Sequence, residues 1–282
     1  MNYSPPNYNE DFRDRIAIVT GAASGIGRSI AEGLSYHRAQ ICMLDTNETK
    51  GHDVLNNLRK NSPSSEFYET DVSDRENVKK TIEKIVSEQG APWILVNNAG
   101  IEYNDDGNLI TMPEEKADEI LNTNLQGYLN MLRSVVPYMI KNGGGRIVNV
   151  SSVQGIQSFK PGTIYQIVKA GIPAIARNMA LEYGRQNIKV NTISPGAIKT
   201  EGMGDARINR DGVNSLRSLI PIGRRGHSEE IADVTLFLLS EKSSYIYGQN
   251  IIVDGGLLTH RQLGGLGVPE KPVDNDPEPN LF

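Results

Sequence analysis

The chain has 282 residues, of which 38% are hydrophobic and 22% charged, values ordinary for a globular protein that buries a sizeable core. Its net charge of −5 offers no broad positive field for nucleic acid or an anionic membrane, so we expect neither as a partner. The single cysteine, Cys42, excludes an intramolecular disulfide and a thiol-based metal cluster. This composition favours small-molecule chemistry.

Targeting and metal-binding signals are both missing from the sequence. The N-terminus has neither the basic nor the apolar segment of a signal peptide, and no run of about 18 apolar residues occurs. We therefore expect a cytoplasmic protein. The four histidines match no metal-ligand spacing, so we expect no metal site. They are His37, His52, His227 and His260.

Short β-branched runs alternate with longer helix-period stretches from Ile16 to about Asp254, the pattern of repeated βαβ units. The predicted strands are Ile16–Thr20, Gln40–Asp45, Glu66–Asp71, Trp93–Asn97, Arg146–Ser151, Lys189–Ser194 and Asn250–Asp254. The clearest helices between them are Pro113–Lys141 and Tyr165–Tyr183. The expected α/β fold is a single Rossmann-type domain over residues 13–258. It has a doubly wound parallel sheet of about seven strands, with helices on both faces.

Three segments depart from this alternation. Residues 1–12 form an N-terminal extension. Residues 200–226 are either a surface loop or a mobile lid over the site, and we favour the lid because loops of this length are usually functional. Residues 259–282, rich in Pro, Gly and acidic residues, predict an extended or disordered tail. Leu281 and Phe282 leave open a docking role on a neighbouring subunit.

A glycine-rich segment, Thr20–Gly27, follows the first predicted strand and opens a helix. Backbone N–H groups at such a helix start can face a pyrophosphate. Gly21 permits the tight turn, while Gly25 and Gly27 permit close approach of backbone to phosphate and of helix to sheet. A turn without a ligand is the alternative, but the order strand, loop, helix favours a dinucleotide site. The other loop residues assigned to the cofactor are Ser24 and Ile26.

Asp45 ends the second predicted strand, where a carboxylate can accept hydrogen bonds from both hydroxyls of the adenosine ribose. It would also repel a 2′-phosphate. NADP would require a basic side chain nearby, but Ser24 lies in the loop and Thr46 follows the aspartate. We therefore predict NAD as the cofactor. The alternative is that Asp45 only caps the helix that begins near Glu48.

Asp71 and Val72 end the third predicted strand. We expect Asp71 to hold the adenine amino group and both residues to flank the adenine ring. The alternative is that Asp71 only forms a turn.

Tyr165 and Lys169 stand four residues apart on one face of a predicted helix, close enough to share a bound ligand. A tyrosine with its ordinary pKa of about 10 is a poor base at neutral pH. A neighbouring cation and the oxidised nicotinamide both favour the phenolate and lower that pKa. The pair can then exchange a proton with an alcohol or a carbonyl. The same spacing also fits a buried tyrosine beside a lysine with no catalytic role.

Further candidate residues fall where loops leave the carboxyl edge of the predicted sheet, which is where open α/β sheets bind ligands. They are Asn97, Asn98, Ala99, Gly100, Asn124, Ser151 and Ser152. Taken in order, T-G-x-x-x-G-x-G, N-N-A-G, a serine, Y-x-x-x-K and a P-G turn resemble the short-chain dehydrogenase/reductase family. The resemblance covers Arg15 to about Gly256, and the combination of motifs is highly specific.

The resemblance implies a role for each matched residue. Tyr165 would be the general acid/base, and Lys169 would bind the nicotinamide ribose and lower the tyrosine pKa. Ser152, 13 residues before the tyrosine, would hydrogen-bond the substrate oxygen. The backbone carbonyl of Asn124 would bind a water leading to Lys169, while its side chain would hold the helix bend. The further cofactor contacts implied are Asn98, Ala99, Gly100, Pro195, Gly196, Ile198 and Thr200.

Two other expectations depend on the same resemblance. Most related enzymes are tetramers, so we expect a homotetramer packed through the long predicted helices. Many members carry Ala-Ser before the lysine, whereas this chain has Ile167–Val168, which alters the cofactor's surroundings without removing the proton chemistry.

The expected activity is NAD-dependent interconversion of an alcohol and a carbonyl, with a sugar or polyol as the substrate. Glu102 and Gln154 lie on loops at the same sheet edge as Tyr165 and can bind several hydroxyls. The segments N-A-G-I-E and S-P-G-A-I resemble those of the sugar 1-dehydrogenase branch of the family. Solvent exposure is the alternative interpretation of both polar residues.

Other functions stay open. Arg207, Asn209, Arg210 and Asn214 would suit a carboxylated or phosphorylated sugar. A 3-oxoacyl-thioester reductase, which would usually prefer NADPH, or a hydroxysteroid-type or other carbonyl reductase is a second possibility. A dinucleotide-sensing regulator that has lost the chemistry is a third. Such a regulator has no need for Ser152, Tyr165 and Lys169 together.

Overall fold

The computed structural model describes residues 8–103, 108–158, 162–200 and 219–259. The strands are β1 (Ile16–Thr20), β2 (Gln40–Asp45), β3 (Glu66–Glu69), β4 (Ile94–Asn97), β5 (Gly145–Val150), β6 (Ile188–Pro195), β7 (Ile198–Lys199), β8 (Gly226–His227) and β9 (Asn250–Val253). Seven of them form one sheet in the order β3-β2-β1-β4-β5-β6-β9, and every recorded pairing in it is parallel. β7 and β8 pair separately.

Helices connect these strands. They are α1 (Asn9–Phe12), α2 (Gly25–Tyr36), α3 (Glu48–Leu58), α4 (Arg75–Glu88), α5 (Glu114–Leu121), α6 (Gly127–Lys141), α7 (Thr163–Tyr183) and α8 (Ser228–Leu239). A π-helical turn, Asn122–Gln126, joins α5 to α6. Short 3₁₀ turns cover Val153–Gly155, Gly184–Gln186, Glu241–Ser243 and Leu257–Thr259.

Each face of the sheet is covered by a separate hydrophobic core. In β1, Ala17 and Val19 point to one core, where α2, α3 and α8 pack, while Ile18 points to the other, where α4, α6 and α7 pack. Successive side chains of a strand alternate between faces, and a sheet buried on both faces therefore needs apolar residues at almost every position. This explains the unbroken apolar runs in the sequence.

The doubly wound parallel sheet predicted from the sequence is confirmed. The first two strands have the predicted bounds, and the other five differ by one or two residues at their ends. The predicted helix Pro113–Lys141 is continuous in space but is divided by the π-helical turn. A π turn arises from an inserted residue and often marks a functional position.

The strand order places the ligand-binding edge. The chain returns from β3 to pair β4 with β1, so β1 and β4 are neighbours whose connections leave toward opposite sides. In open α/β sheets a crevice forms at the carboxyl ends of such strands. The glycine-rich segment after β1 and Asn98–Gly100 after β4 both begin at this crevice.

The end of the predicted N-terminal extension packs against the domain. Phe12 is 1% exposed and joins the core beneath α2, and the ring of Tyr8 lies against that of His37. In the part of the chain that the structure describes, no helix has the length and apolarity to cross a membrane. Most of the predicted lid (201–218) and of the predicted tail (260–282) lies outside the described residues.

Candidate active site

The loop after β1 has the backbone that a pyrophosphate site requires. Gly21 and Gly25 adopt φ values of +63° and +53°, a region in which residues with a Cβ are strained. At Gly27, an added Cβ would overlap the carbonyl oxygen of Gly21. The loop therefore folds back on the first turn of α2, and its backbone can approach a ligand closely. Ser24 precedes the helix and Ile26 packs against the core.

Asn98 and Ala99 fix this loop to β4. The Asn98 amide donates to the carbonyl oxygens of Thr20 (3.0 Å) and Gly21 (3.2 Å). The backbone N–H groups of Asn98 and Ala99 both donate to Thr20 Oγ1, at 2.9 and 3.0 Å. A Cβ on Gly100 would lie 3.2 Å from Asn124 Oδ1. The N-N-A-G segment thus joins the glycine-rich loop after β1 to the region around Asn124.

Asp45 faces the glycine-rich loop. Its Oδ2 accepts from the N–H of Ala23 (2.9 Å), and its Oδ1 accepts from the N–H of Asn47 (2.9 Å). The helix cap is Asn47, whose Oδ1 accepts from Lys50 N. The alternative in which Asp45 caps α3 is therefore excluded. Each carboxylate oxygen keeps a second lone pair for a ribose hydroxyl.

Asp71 forms a turn: its Oδ1 accepts from Ser73 N (2.9 Å) and Ser73 Oγ (2.7 Å). Val72 is buried beside Gly127 at the start of α6. Asn130 donates to the carbonyl oxygen of Val72 at 3.0 Å. The turn uses only Oδ1 among the described contacts of the Asp71 carboxylate. It is therefore compatible with the predicted adenine contact, which Oδ2 could make.

Ser152 and Tyr165 meet where β5 ends and α7 begins. The Ser152 side chain is close enough to the Tyr165 hydroxyl to lower its pKa. Ser152 Oγ also accepts from Gln154 N at 3.1 Å. The adjacent Ser151 has a different partner, because its Oγ donates to the backbone carbonyl of Lys169 at 2.6 Å. Spacing in the family selects Ser152, and this serine is the one that reaches Tyr165.

Lys169 is 3% exposed and is held from two sides. Its Nζ donates to the Val150 carbonyl at 2.9 Å and lies 5.6 Å from the ring centre of Tyr128. The same nitrogen is 5.5 Å from the ring centre of Tyr165. Burial lowers the pKa of Lys169 to about 8, with the Glu102 carboxylate acting in the opposite direction. The ammonium form still predominates at neutral pH.

The pKa of Tyr165 is raised in the protein, whereas a base that works at neutral pH requires a lowered pKa. The protein around the phenol removes it from water, which raises its pKa, and the Glu102 carboxylate raises it further. The Ser152 side chain acts in the opposite direction. In the protein alone Tyr165 is therefore a neutral phenol at physiological pH. A positively charged ligand beside it would favour the phenolate.

Asn124 is fully buried in the π-helical turn. Its Oδ1 accepts from Ile101 N at 2.7 Å, and its Nδ2 donates to the Ile101 carbonyl at 2.8 Å. This pair of bonds ties the helix bend to the loop after β4. The Asn124 side chain thus lies in the helix bend, as the resemblance implies. Its bonds to Ile101 also fix the backbone immediately before Glu102.

The Pro195–Gly196 turn ends β6 at the same edge of the sheet. Gly196 N donates to the Val253 carbonyl at 2.9 Å, and a Cβ at this position would overlap Asp254. Ile198 is buried, and Thr200 lies over the glycine-rich loop, its Cγ2 3.3 Å from where a Cβ of Gly25 would stand. The segment that follows the turn therefore reaches the glycine-rich loop at Thr200.

Glu102 and Gln154 come together at the mouth of the site. Gln154 Nε2 donates to Glu102 Oε1 at 2.9 Å, although the two residues are 52 positions apart. Glu102 is exposed and Gln154 partly buried. The carboxylate is close enough to shift the pKa values of Tyr165 and Lys169. Solvent exposure alone does not describe this pair.

Two residues of the site, Tyr128 and Gly155, were missed by the sequence prediction. Tyr128, whose hydroxyl donates to the Val150 carbonyl at 2.9 Å, lies four residues after Asn124 on the same helix. A Cβ on Gly155 would overlap the backbone of Lys169, so this glycine lets the Ser152 turn pack directly on α7. Helical spacing could have indicated Tyr128, whereas Gly155 has no local signal.

Comparison with known proteins agrees with this geometry. The family model described as enoyl-(acyl carrier protein) reductase matches residues 21–258. The 3-oxoacyl-[acyl-carrier-protein] reductase FabG of Thermotoga maritima is 38% identical over 86% of this chain and 98% of its own length. The NAD-dependent glycerol dehydrogenase of Listeria innocua is 36% identical over 88% and 96%. The crystal structure of levodione reductase matches with a TM-score of 0.84 and 30% identity, over 89% of this chain and all of that one.

The parallel sheet, the glycine-rich loop at its switch point and the adjacent Tyr165–Lys169 pair together define an oxidoreductase that binds a nicotinamide dinucleotide. The length of the model match and the identity to curated relatives show the family as well. The chain belongs to the short-chain dehydrogenase/reductase family.

The packing of the dinucleotide loop predicts the effect of one added methyl group. In Gly27→Ala the new Cβ overlaps Gly21 and the Asn98 amide, so either the loop or the helix start must move. We expect a loss of about 1–3 kcal/mol in the free energy of unfolding, the usual cost of overpacking. NADH affinity, measured by fluorescence titration, should fall at least about tenfold, which corresponds to about 1.4 kcal/mol.

The matched control is Gly171→Ala in the middle of α7, where no atom lies within 4 Å of the added Cβ. This variant should keep NADH affinity and be stabilised by about 0.5–1 kcal/mol through helix propensity. Parent-like NADH affinity in Gly27→Ala would show that the loop does not bind the dinucleotide.

Proposed function

We propose that the protein is an NAD-dependent dehydrogenase that oxidises a hydroxyl of a sugar or polyol. The observation that carries this proposal is the Tyr165 phenol, which lies close to the Ser152 side chain and beside the Lys169 ammonium at the edge where the glycine-rich loop opens. A regulator that only senses dinucleotides would need the loop but not this arrangement.

Alcohol oxidation removes a hydride and a proton, and the side chains of this chain handle the proton. When bound, NAD accepts the hydride from the carbinol carbon. Tyr165 accepts the proton from the alcohol oxygen, while the Ser152 hydroxyl donates a hydrogen bond to that oxygen and orients it. In the reverse direction Tyr165 returns the proton to the carbonyl oxygen.

Lys169 supports this proton transfer in two ways. Its ammonium lies beside the Tyr165 ring and favours the phenolate electrostatically. Its other donors can hold the ribose next to the nicotinamide. Asn124 acts indirectly: its side chain fixes the helix bend, and its backbone carbonyl can bind the water that links Lys169 to solvent. It is therefore a positioning residue.

The preference for NAD over NADP is assigned to Asp45. Its carboxylate oxygens are fixed by Ala23 N and Asn47 N and face the dinucleotide loop. In this position they accept from the ribose hydroxyls, and a 2′-phosphate would meet a negative charge. The further cofactor contacts that we propose are Asp71, Val72, Asn98, Ala99, Gly100, Pro195, Gly196, Ile198 and Thr200.

Glu102 and Gln154 support a polyhydroxylated substrate. Their side chains present a carboxylate and an amide beside Tyr165, and together they offer acceptors and donors to vicinal hydroxyls. An acyl chain or a steroid would instead call for an apolar lining. The similarity to a glycerol dehydrogenase adds support to this substrate class.

Reduction of a 3-oxoacyl thioester is the second candidate, because a relative at 38% identity carries that name. The proton chemistry of Tyr165 would be the same. The negative charge of Asp45 weighs against NADPH, and the polar Glu102–Gln154 pair weighs against an acyl chain. An initial-rate screen of sugars, polyols, hydroxysteroids and β-hydroxyacyl thioesters, each with NAD and NADP, separates the candidates. Turnover of only thioesters or steroids would exclude the sugar or polyol assignment.

Removing the phenol hydroxyl should abolish most of the chemistry. In Tyr165→Phe we expect kcat to fall at least ~10²–10⁴-fold, the usual worth of general acid/base catalysis, with little change in NADH affinity. Tyr245→Phe, at a tyrosine that is 99% exposed and lies outside the site, is the control and should behave like the parent. Steady-state rates within threefold of the parent for Tyr165→Phe would contradict the assigned role.

Neutralising Asp45 should change cofactor choice. In Asp45→Ala the loss of charge-assisted hydrogen bonds, about 1.5–3 kcal/mol, should weaken NAD more than tenfold and relieve the exclusion of NADP. Asp45→Asn removes the charge but keeps an oxygen that can accept from Ala23 N. It therefore tests the effect of the charge on the cofactor without disturbing the glycine-rich loop. Asp53→Ala removes an exposed carboxylate from α3 and should change neither affinity. An unchanged NAD/NADP ratio in both Asp45 variants would refute the assignment.

We also propose that the protein assembles as a homotetramer through α6 and α7. These helices border a largely apolar groove of about 730 Å³, lined by partly exposed residues that include Leu129, Ile140, Ile175 and Met179. A second copy would cover these side chains through its own two helices. Light scattering should give four times the chain mass of 31.0 kDa. Met179→Asp, at a groove residue that is only partly buried in the single chain, should dissociate the assembly. A monomeric parent would contradict this proposal.

A further inference from the structure

The Lys169 ammonium is buried with little hydrogen bonding. Lys169 is 3% exposed, and its Nζ carries three N–H donors. Among the residues that the structure describes, the Val150 carbonyl is the one hydrogen-bond acceptor recorded for them, at 2.9 Å. A buried cation with a single hydrogen bond is costly unless further groups stabilise its charge. The surroundings of the Nζ atom therefore matter beyond Val150.

Two aromatic rings lie against this ammonium. Lys169 Nζ is 5.6 Å from the ring centre of Tyr128 and 5.5 Å from that of Tyr165. Both distances are within the range of about 6 Å over which an aromatic ring attracts a cation. Tyr165 is already assigned to proton transfer, whereas the proposed mechanism gives no role to Tyr128.

Tyr128 is fixed in this position by its hydroxyl and by its backbone. The hydroxyl donates to the Val150 carbonyl at 2.9 Å, the same oxygen that accepts from Lys169. The preceding residue, Gly127, packs so closely on Val72 that an added Cβ would overlap it, so the start of α6 lies directly against the segment after β3. The Tyr128 side chain is 1% exposed. Its ring therefore cannot leave Lys169 without breaking a buried hydrogen bond.

The Tyr128 ring remains uncharged at any pH at which the protein works. Burial raises the pKa of Tyr128, and the neighbouring Tyr165 raises it further. The hydroxyl proton is donated to a backbone carbonyl, which accepts a hydrogen bond but has no proton to pass on. Tyr128 thus has no acid/base role of its own. Its ring presents the same electron-rich face to Lys169 whether or not Tyr165 is ionised.

We propose that Tyr128 is a positioning residue for the proton transfer: its ring keeps the Lys169 ammonium charged and beside the Tyr165 phenol, and its hydroxyl fixes the ring. This inference rests on the proposed function, because it concerns how Tyr165 becomes a base. Tyr128 acts through Lys169 and not on the reacting atoms.

The pH profile of the reaction reports this role. In the described part of the chain, the titratable groups that face Lys169 are Tyr128 from α6, Tyr165 from its own helix and Glu102 from the loop after β4. Burial lowers the pKa of Lys169 to about 8, and Glu102 acts in the opposite direction. The Tyr128 ring favours the ammonium, so its removal should lower this pKa further. The alkaline limb of kcat/KM for alcohol oxidation, which reports loss of the Lys169 proton, should then move to lower pH.

The test compares Tyr128→Leu, which removes the ring but keeps an apolar side chain, with Tyr128→Phe, which keeps the ring. Phe12→Leu is the matched control, because it makes the same change at a buried aromatic residue in the core on the opposite face of the sheet. One measurement is kcat/KM against pH with the best substrate of the initial-rate screen. The other is a titration of Lys169 in isotope-labelled protein, followed by NMR through the chemical shift of its ε carbon. That signal is assigned by its loss in Lys169→Met.

In Tyr128→Leu we expect the pKa of Lys169 and the alkaline limb to fall by about 0.5–1.5 pH units, the equivalent of a desolvated cation–π contact. At a pH above the limb, kcat/KM should then fall about three- to thirtyfold. Tyr128→Met, a second ring-free variant whose flexible side chain fills the same space, should show the same shift. Tyr128→Phe should keep the parent limb because the ring is present, and Phe12→Leu should keep it although the protein is less stable.

A Lys169 pKa that is unchanged or raised in the two ring-free variants, or a shift no larger than that of Phe12→Leu, would overturn the role of Tyr128. The same shift in Tyr128→Phe as in Tyr128→Leu would also overturn it, because the ring would then have no effect. If the parent oxidises no sugar or polyol, the proposed function fails separately. The lysine titration needs no substrate and still decides whether Tyr128 keeps the ammonium charged.

Discussion

A single backbone carbonyl, that of Val150 at the end of β5, organises the proposed chemistry. It accepts hydrogen bonds from both Lys169 Nζ and Tyr128 Oη, each at 2.9 Å. These bonds join the sheet to α7 and α6 and hold the ammonium in a buried place where its charge is only weakly screened. Burial of this kind is costly for a cation, and it lowers the pKa of Lys169 to about 8. The ammonium held in this way lies 5.5 Å from the centre of the Tyr165 ring.

The fold places the other site residues around Lys169 and Tyr165. Because all strands of the parallel sheet point the same way, the loops after β1, β4, β5 and β6 leave at the same edge. Close backbone contacts at Gly27 and Gly155 let the dinucleotide loop and the Ser152 turn approach their neighbours. The π-helical turn at Asn124 bends the helix toward Ile101. Stability and site geometry are therefore supplied by the same contacts.

The fold could be predicted from the sequence because a sheet buried on both faces leaves apolar runs of strand length, separated by helix-period stretches. The proximity of Ser152, Tyr165 and Lys169 could be predicted from the spacing of the family motifs. Other features could not be predicted from the sequence, because they depend on packing between distant segments. The bond from Ser151 to the Lys169 carbonyl and the raised pKa of the Tyr165 phenol are of this kind.

The central claim is that protein burial keeps Tyr165 neutral and that a bound cation converts it into a base. Ultraviolet difference titration of the parent against Tyr165→Phe isolates this phenol from the other ten of the 11 tyrosines. In the protein alone we expect Tyr165 to ionise above the ordinary tyrosine pKa of about 10. Addition of NAD should lower the pKa of Tyr165 toward neutrality, and addition of the uncharged nicotinamide in NADH should not. The same pKa in both complexes would contradict the account.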